Sequence, residues 1–382
     1  MRTVRIDEMA IGDGHPPRIM GVLNMSGESN YGPSVYPDPA TAARYAEVMA
    51  ESGADIVDVG LQSANPKNDW LPQSTEMKRL DRAIAVLEAA DTDAVFSIET
   101  RYADVADEAL ASGFDLINDV CGFADPEMPA VCEAHDAPVV KMASPPDVTK
   151  PGHLKDVGSI FEALERGGFT EKTIIDPAFG GWYDQRTFED NWELFRRLRE
   201  FRAFGRPILT ATNREDFLGA IADRMKTDEQ LPVSLAAATM EVERGVHVIR
   251  THDVPETHDA IQVASFLGDE RHVEAPSITE VTATTRLELE QVLSLNTVQS
   301  ANGKSGSAIR AFQVEPPTEL VAAAVLEWAT ETDLTVVGGY ESGLHIAGTE
   351  AEFDTALAAP PPSTAAAVTV GSLRRALNER TS

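Results

Sequence analysis

The stretch PATAARYAEVMAESGADIVDVG, Pro39–Gly60, runs from a segment of helical periodicity, Pro39–Ser52, into a short apolar run, Asp55–Gly60. The same alternation of apolar run, loop and helical segment recurs from residue 18 to residue 268. The other apolar runs are Arg18–Leu23, Ala94–Ile98, Asp115–Asn118, Pro138–Met142, Thr173–Asp176, Pro207–Thr210 and Val246–Arg250. Helical segments are read at Thr75–Ala90, Ala103–Ser112, Glu189–Phe201, Leu235–Arg244 and Glu256–Leu267. Strands that alternate with helices argue for parallel βαβ units, and eight such units in about 250 residues make a TIM (β/α)8 barrel, with a doubly wound sheet as its rival.

A barrel carries its site where the strands run out into the following loops. Polar side chains gather at those ends: Asn24, Glu99, Asn118 with Asp119, Asp176, Asn213 with Arg214, and Arg250 with His252 and Asp253. Asn and Asp also punctuate strand ends as turn and cap residues, which explains any one of them alone. For the whole set, converging on one barrel mouth, the functional reading is stronger. Glu99, Asn118 and Asp176 match a flat heterocycle bearing ring N–H and amino donors, because a buried carboxylate needs donors to offset its desolvation. A structural hydrogen-bond network is the plainer alternative, although barrel interiors are normally filled by branched apolar side chains.

On the opposite side Asn24, Arg250 and His252 offer a carboxamide and two potential cationic donors. Arg250 suits a phosphate held by two parallel hydrogen bonds, and Asn24 suits a magnesium ion (Mg2+) that shares the phosphate oxygens. The alternative for Arg250 and His252 is a salt-bridged or helix-capping arrangement with Asp253 or Glu256.

Composition narrows the partners. The 62 acidic residues against 32 basic ones give a net charge of −30, spread along the chain. Such a surface repels nucleic acid and anionic membranes and suits a halophile's concentrated salt, where screening removes self-repulsion. Cys121 and Cys132 match no redox or zinc spacing and are expected to be buried thiols in a reducing compartment. No run of about 18 apolar residues occurs and the N-terminus lacks a signal-peptide pattern, so a soluble cytoplasmic protein is expected.

The barrel is assigned to residues 1–268, a polar linker to 269–276, and a small α/β module of unknown role to 277–382. In that module Leu287–Leu295 and Pro317–Thr330 read as helices, Leu334–Val337 and Leu344–Ile346 as strands, and the tail is Ala/Pro-rich around Pro360–Ala367. The segment NGKSGSA, Asn302–Ala308, lacks the leading glycine of a phosphate-binding loop, and no nucleotide site is assigned to it.

Eight segments occur in an order that resembles dihydropteroate synthase: MGVLNMSGES (Met20–Ser29), GADIVDVG (Gly53–Gly60), FSIET (Phe96–Thr100), LINDVCG (Leu116–Gly122), PVVKM (Pro138–Met142), IIDPAFG (Ile174–Gly180), RPILTATNREDFLG (Arg206–Gly219) and VIRTHDV (Val248–Val254). The first of them, followed by SVYPD, is most similar to archaeal members. The resemblance covers roughly residues 18–268 and leaves out the C-terminal module.

It implies that 6-hydroxymethyl-dihydropterin diphosphate loses pyrophosphate to an arylamine such as 4-aminobenzoate. Glu99, Asn118 and Asp176 would then grip the pterin, and Asn24, Arg250 and His252 would serve diphosphate and magnesium. It also implies a homodimer formed through barrel helices.

Four departures from the family pattern stand out. Glu99 replaces an aspartate; Ala64 and Asn65 replace a threonine and an arginine; Glu215 replaces the lysine that packs on the pterin; and Gly181 stands, beside Trp182, where an aromatic is usual. They keep two other readings open: a corrinoid methyltransferase, in which Asn213 would be an amide facing the pterin, and a non-catalytic pterin-binding protein.

Overall fold

The computed structural model describes residues 2–27, 32–62, 70–179, 185–267, 278–281, 309–340, 343–358 and 364–378. A hairpin comes first, β1 (Val4–Ile6) paired antiparallel with β2 (Met9–Ile11). The apolar runs become the strands β3 (Arg18–Asn24), β4 (Ile56–Gly60), β5 (Val95–Thr100), β6 (Leu116–Asp119), β7 (Val139–Met142), β8 (Thr173–Asp176), β9 (Leu209–Thr210) and β10 (Val248–Thr251). The helices of this part are α1 (Pro39–Glu51), α2 (Gln73–Ala89), α3 (Ala103–Ala111), α4 (Met128–Ala134), α5 (Val157–Glu165), α6 (Phe188–Arg196), α7 (Asp216–Ile221), α8 (Leu231–Glu243) and α9 (Val254–Leu267).

The strands lie in the order β8-β7-β6-β5-β4-β3-β10-β9, with parallel pairing throughout. A parallel bridge from Ile175 to Ile208 joins the two outer strands, so the sheet closes into the TIM barrel that the alternation predicts.

Local signals place the helices. Asp38 caps α1, accepting the Thr41 amide at 3.0 Å just ahead of Pro39. Reciprocal capping boxes, Asp156 with Ser159 and Thr187 with Asp190, start α5 and α6. The expected single helix Glu189–Phe201 is corrected: α6 ends at Arg196 and a 3-10 segment, Leu198–Phe204, follows it. Leu198 and Phe201 are both fully buried, and the three-residue period of that helix turns them to one side.

Met20, Ile56, Leu116, Val140, Ile174, Leu209 and Val248, each from a different barrel strand, form an apolar floor inside the barrel. Val4, Ile6 and Ile11 of the hairpin pack against that floor. This plug is absent from the sequence reading, because two three-residue strands are too short for an alternation signal to register.

The chain divides into two compact units, one of Arg2–Leu198 with Arg206–Gly268, the other built mainly from Asp269–Ser382. The second unit has an antiparallel sheet in the order β11 (Ile278–Val281), β12 (Ile309–Val314), β14 (Gly343–Thr349), β13 (Thr335–Gly339). Its helices are α10 (Glu319–Thr330), α11 (Glu350–Ala358) and α12 (Thr364–Asn378), the last arising from the Ala/Pro-rich tail. Phe312, Trp328, Leu344, Ile346, Phe353 and Val370 lie in its core.

The linker 269–276, the helix read at Leu287–Leu295 and the segment Asn302–Ala308 lie outside the described residues. No helix among the described residues is long and apolar enough to cross a membrane.

Candidate active site

Alternate residues of a barrel strand face its interior, so residues two and four positions beyond the apolar floor point the same way. Asp58, Asn118, Asp176 and Arg250 stand two positions beyond Ile56, Leu116, Ile174 and Val248; Asn24 and His252 stand four beyond Met20 and Val248. Glu99 pairs in register with Asn118 and with Gly60. The chain thus changes from apolar to polar at one level around the barrel, on the side where the strands end.

A buried charge network crosses this level. Arg250 donates from Nε to Asp58 Oδ2 at 2.8 Å and from Nη2 to Glu99 Oε2 at 2.6 Å. Ser97 Oγ donates to Asp58 Oδ1 at 2.7 Å and Asn118 Nδ2 to Asp58 Oδ2 at 2.9 Å. One cation therefore serves two carboxylates. Burial lifts Glu99 to about 7; Arg250 opposes that rise and the charge of Asp58 adds to it. Burial works against the charge on Arg250, but Asp58 and Glu99 hold it protonated.

Asp176 accepts the Ala178 amide at 2.7 Å, and burial raises it to about 6 against that bond and the charges of Arg250 and Arg186. The cluster is rich in acceptor oxygens and short of donors, which is the chemistry to receive a ligand with several N–H groups.

Two sequence expectations are corrected here. Arg250 does not lie apart from Glu99 but is bonded to it: only β3 and β4 separate β10 from β5, and the guanidinium meets both Asp58 and Glu99. Its Nη1 has no hydrogen-bond partner among the described residues. His252 is not a cation: burial, then the neighbouring Arg250, lowers it to about 3, so the imidazole is neutral.

Asn213 is also placed differently from the free amide of the methyltransferase reading. Its Nδ2 donates to Asp253 Oδ2 at 2.9 Å and its Oδ1 accepts the His252 amide at 3.1 Å. Asp253 is gripped in turn by Arg214 through Nε and Nη2, both at 2.8 Å, and not by Arg250. Asn213 thus ties the loop after β9 to the end of β10. Glu215 directly precedes α7, while Ala64, Asn65, Gly181 and Trp182 lie outside the described residues.

Asn24 fits a hard cation. Its Nδ2 donates to Ser34 Oγ at 3.0 Å, which fixes the carboxamide, and a Cβ built on Gly60 would come within 3.0 Å of its Oδ1. Among the described residues no group of three or more His, Cys, Asp or Glu gathers to hold a metal. A magnesium ion here would take one protein oxygen and complete its shell with water and substrate phosphate, as this ion commonly does.

The sequence reading missed Asp58, Ser97 and Arg186. Asp58 carried a signal, a carboxylate inside an apolar strand and in phase with Ile56; Arg186, in a loop, carried none. A separate cavity of about 630 Å3 lies at the opposite end of the barrel, lined by residues including Glu8, Arg18, Glu47, Asp55 and Asp91. Its arginine is paired with Asp55 at 3.0 Å and none of the site residues lines it.

A probable bifunctional folylpolyglutamate synthase/dihydropteroate synthase of Halobacterium salinarum is 36% identical over 265 residues, 66% of this chain and 32% of that protein. The chain thus spans about a third of that relative's length. Among solved structures, a dihydropteroate synthase of Coxiella burnetii in complex with pteroic acid matches with a TM-score of 0.58 at 28% identity, covering 70% of this chain and 98% of that one. The dihydropteroate synthase of Thermus thermophilus in complex with 4-aminobenzoate matches with a TM-score of 0.56 at 30% identity, covering 70% and 100%. The family model described as pterin binding enzyme matches residues 20–252. With the barrel and its acceptor-rich mouth, these matches establish that the chain belongs to the pterin binding enzyme family.

Proposed function

We propose that this chain is a transferase of the dihydropteroate synthase type, joining 6-hydroxymethyl-dihydropterin diphosphate to an arylamine with release of pyrophosphate. The observation that carries the reading is the cluster in which Arg250 serves both Asp58 and Glu99 beside Asn118 and Asp176. A reduced pterin presents a 2-amino group and ring N–H groups, the donors that these oxygens lack.

Glu99, the Asn118 carboxamide oxygen and Asp176 accept from the pterin. Arg250 Nη1 donates to the diphosphate, and His252 adds a neutral donor. Asn24 would hold magnesium, which when bound offsets charge on the leaving pyrophosphate. The amine nitrogen forms a bond to the methylene carbon as the carbon–oxygen bond to diphosphate breaks. The electron pair leaves with pyrophosphate, and the amine then gives its proton to solvent. Positioning and charge stabilisation supply the acceleration, since no enzyme-bound covalent intermediate is required.

The reading includes a cytoplasmic homodimer. Trp192, Ile221 and Met225, on and next to α6 and α7, are exposed apolar side chains that would support it.

The test is pyrophosphate release from the full chain in high salt, given the pterin diphosphate, magnesium and a panel of amines that includes 4-aminobenzoate and a ribosylated aminobenzene. Release that depends on the amine supports the synthase and identifies the acceptor. Pterin binding with no release for any amine refutes it and favours methyl transfer or simple binding.

A further inference from the structure

We propose that Arg186 is a positioning residue for substrate recognition, tying two loops of the barrel mouth together so that the main chain at Ala178 holds Asp176 in its acceptor geometry. The proposal rests on the pterin reading above.

The chain of contacts is short. Arg186 Nε donates to Leu154 O at 3.0 Å, in the loop between β7 and α5. Its Nη1 donates to the carbonyl of Ala178, in the loop after β8. The amide of the same Ala178 donates to Asp176 Oδ1 at 2.7 Å. Ala178 is held at a φ of 56°, a left-handed conformation that a residue with a Cβ adopts at a cost. A strained residue persists only when its surroundings hold it there, and the Nη1 hydrogen bond from Arg186 to its carbonyl is such a hold, since the planar guanidinium is fixed at the same time on Leu154 O.

Arg186 is itself 9% exposed, and its Nη2 has no hydrogen-bond partner among the described residues. A buried guanidinium that donates to two main-chain carbonyls does not repay its desolvation by those bonds alone. Its charge is balanced at longer range by Glu215, Asp190, Asp176 and Asp156.

Two of these place Arg186 in the site. Asp176 is a pterin ligand in the proposed function, and Glu215 stands where the sequence resemblance expects a lysine. The charged groups that act on Asp176 are Arg250 and then Arg186, which favour its ionised form, while Glu241 and Asp176 disfavour each other's charge.

The experiment compares wild type, Arg186→Gln, Arg186→Lys, Asp176→Asn and the Arg186→Gln/Asp176→Asn double variant in molar potassium chloride. Pterin affinity is measured from pH 5 to pH 8, and Asp176 is titrated in the ligand-free protein by carboxyl NMR.

Arg186→Gln is expected to bind the pterin roughly ten-fold more weakly, the worth of one lost hydrogen bond to a charged group. The midpoint of Asp176 should move to higher pH, since a favourable cation has gone. Arg186→Lys is expected to restore the midpoint without restoring full affinity, because an ammonium lacks the fork. In the Asp176→Asn background, Arg186→Gln should cost nothing further.

An unchanged Asp176 midpoint in Arg186→Gln, or additive losses in the double variant, overturns the inference. If Arg186→Gln does not fold, the midpoint and affinity of Arg186→Lys decide, and wild-type affinity there overturns it. Wild-type protein that binds no pterin defeats the underlying reading instead, and the ligand-free titration of Asp176 then judges the positioning role alone.

Discussion

Replacing Arg250 by methionine keeps most of the side-chain volume and removes the cation that Asp58 and Glu99 share. Removing one partner of a buried ion pair costs about 3–5 kcal/mol, because a charge is left uncompensated. Here two charge-assisted bonds are lost, at 2.8 and 2.6 Å. The cost depends on pH, since a stranded carboxyl escapes by taking a proton. In the wild type Glu99 stands at about 7 with Arg250 pulling it down, so without Arg250 it moves higher. Below pH 7 both proteins carry a protonated Glu99 and differ mainly by the bond to Asp58. As pH rises through 7 the wild type releases that proton and the variant keeps it, so the stability gap widens by up to about 1.4 kcal/mol per pH unit. Urea unfolding of both proteins at pH 6, 7 and 8 in molar potassium chloride measures the gap. A gap equal at pH 6 and pH 8, or one below about 1 kcal/mol at pH 8, refutes the shared-cation account.

Three further outcomes are expected. Glu241 is fully buried, raised to about 7 by burial, and accepts from Thr210 and Thr212 at 2.9 and 2.5 Å. A carboxyl raised in the folded state weakens the fold as pH climbs from its unfolded value towards 7, so Glu241→Gln should remove a loss of roughly 1.4 kcal/mol per pH unit; urea midpoints at pH 5 and pH 8 that move in parallel for both proteins would count against it. Lys141 Nζ donates to the carbonyls of Leu164, Arg166 and Gly168 at 2.8, 2.6 and 2.8 Å, closing the end of α5. Lys141→Met should cost about 3 kcal/mol in thermal or urea unfolding, a figure that a loss under 1 kcal/mol would contradict. Gly60→Ala should crowd Asn24 and lower magnesium-dependent pyrophosphate release roughly ten-fold while leaving pterin affinity close to wild type; parallel losses in both would show that Gly60 shapes the pterin pocket and not the metal ligand.

The barrel was legible because eight apolar runs separated by helical segments leave few alternatives, and each predicted strand lies within about two residues of an observed one. The site positions were legible for a related reason. A polar residue at the end of an apolar run conflicts with the pattern around it, as Glu99 does after Phe96 and Ile98. What misled was distance. Arg250 and Glu99 are 151 residues apart in the chain and 2.6 Å apart in the fold, so no spacing rule could pair them. The separation of a pterin side from a diphosphate side came from the residue types at the strand ends, acceptors on one set and potential cations on another, and the closed barrel joins the two through a shared guanidinium.

By itself, then, the sequence determined the periodicities, the strand ends and the residue types brought to the barrel mouth, because these depend on neighbours two to four residues apart. Only the tertiary structure decided which charges meet. It joined Asp58, Glu99 and Arg250, kept His252 neutral, turned Asn213 onto Asp253 and set Arg186 behind Asp176. Barrel closure brings distant strands within hydrogen-bond range and removes water, and both protonation and pairing follow from that burial.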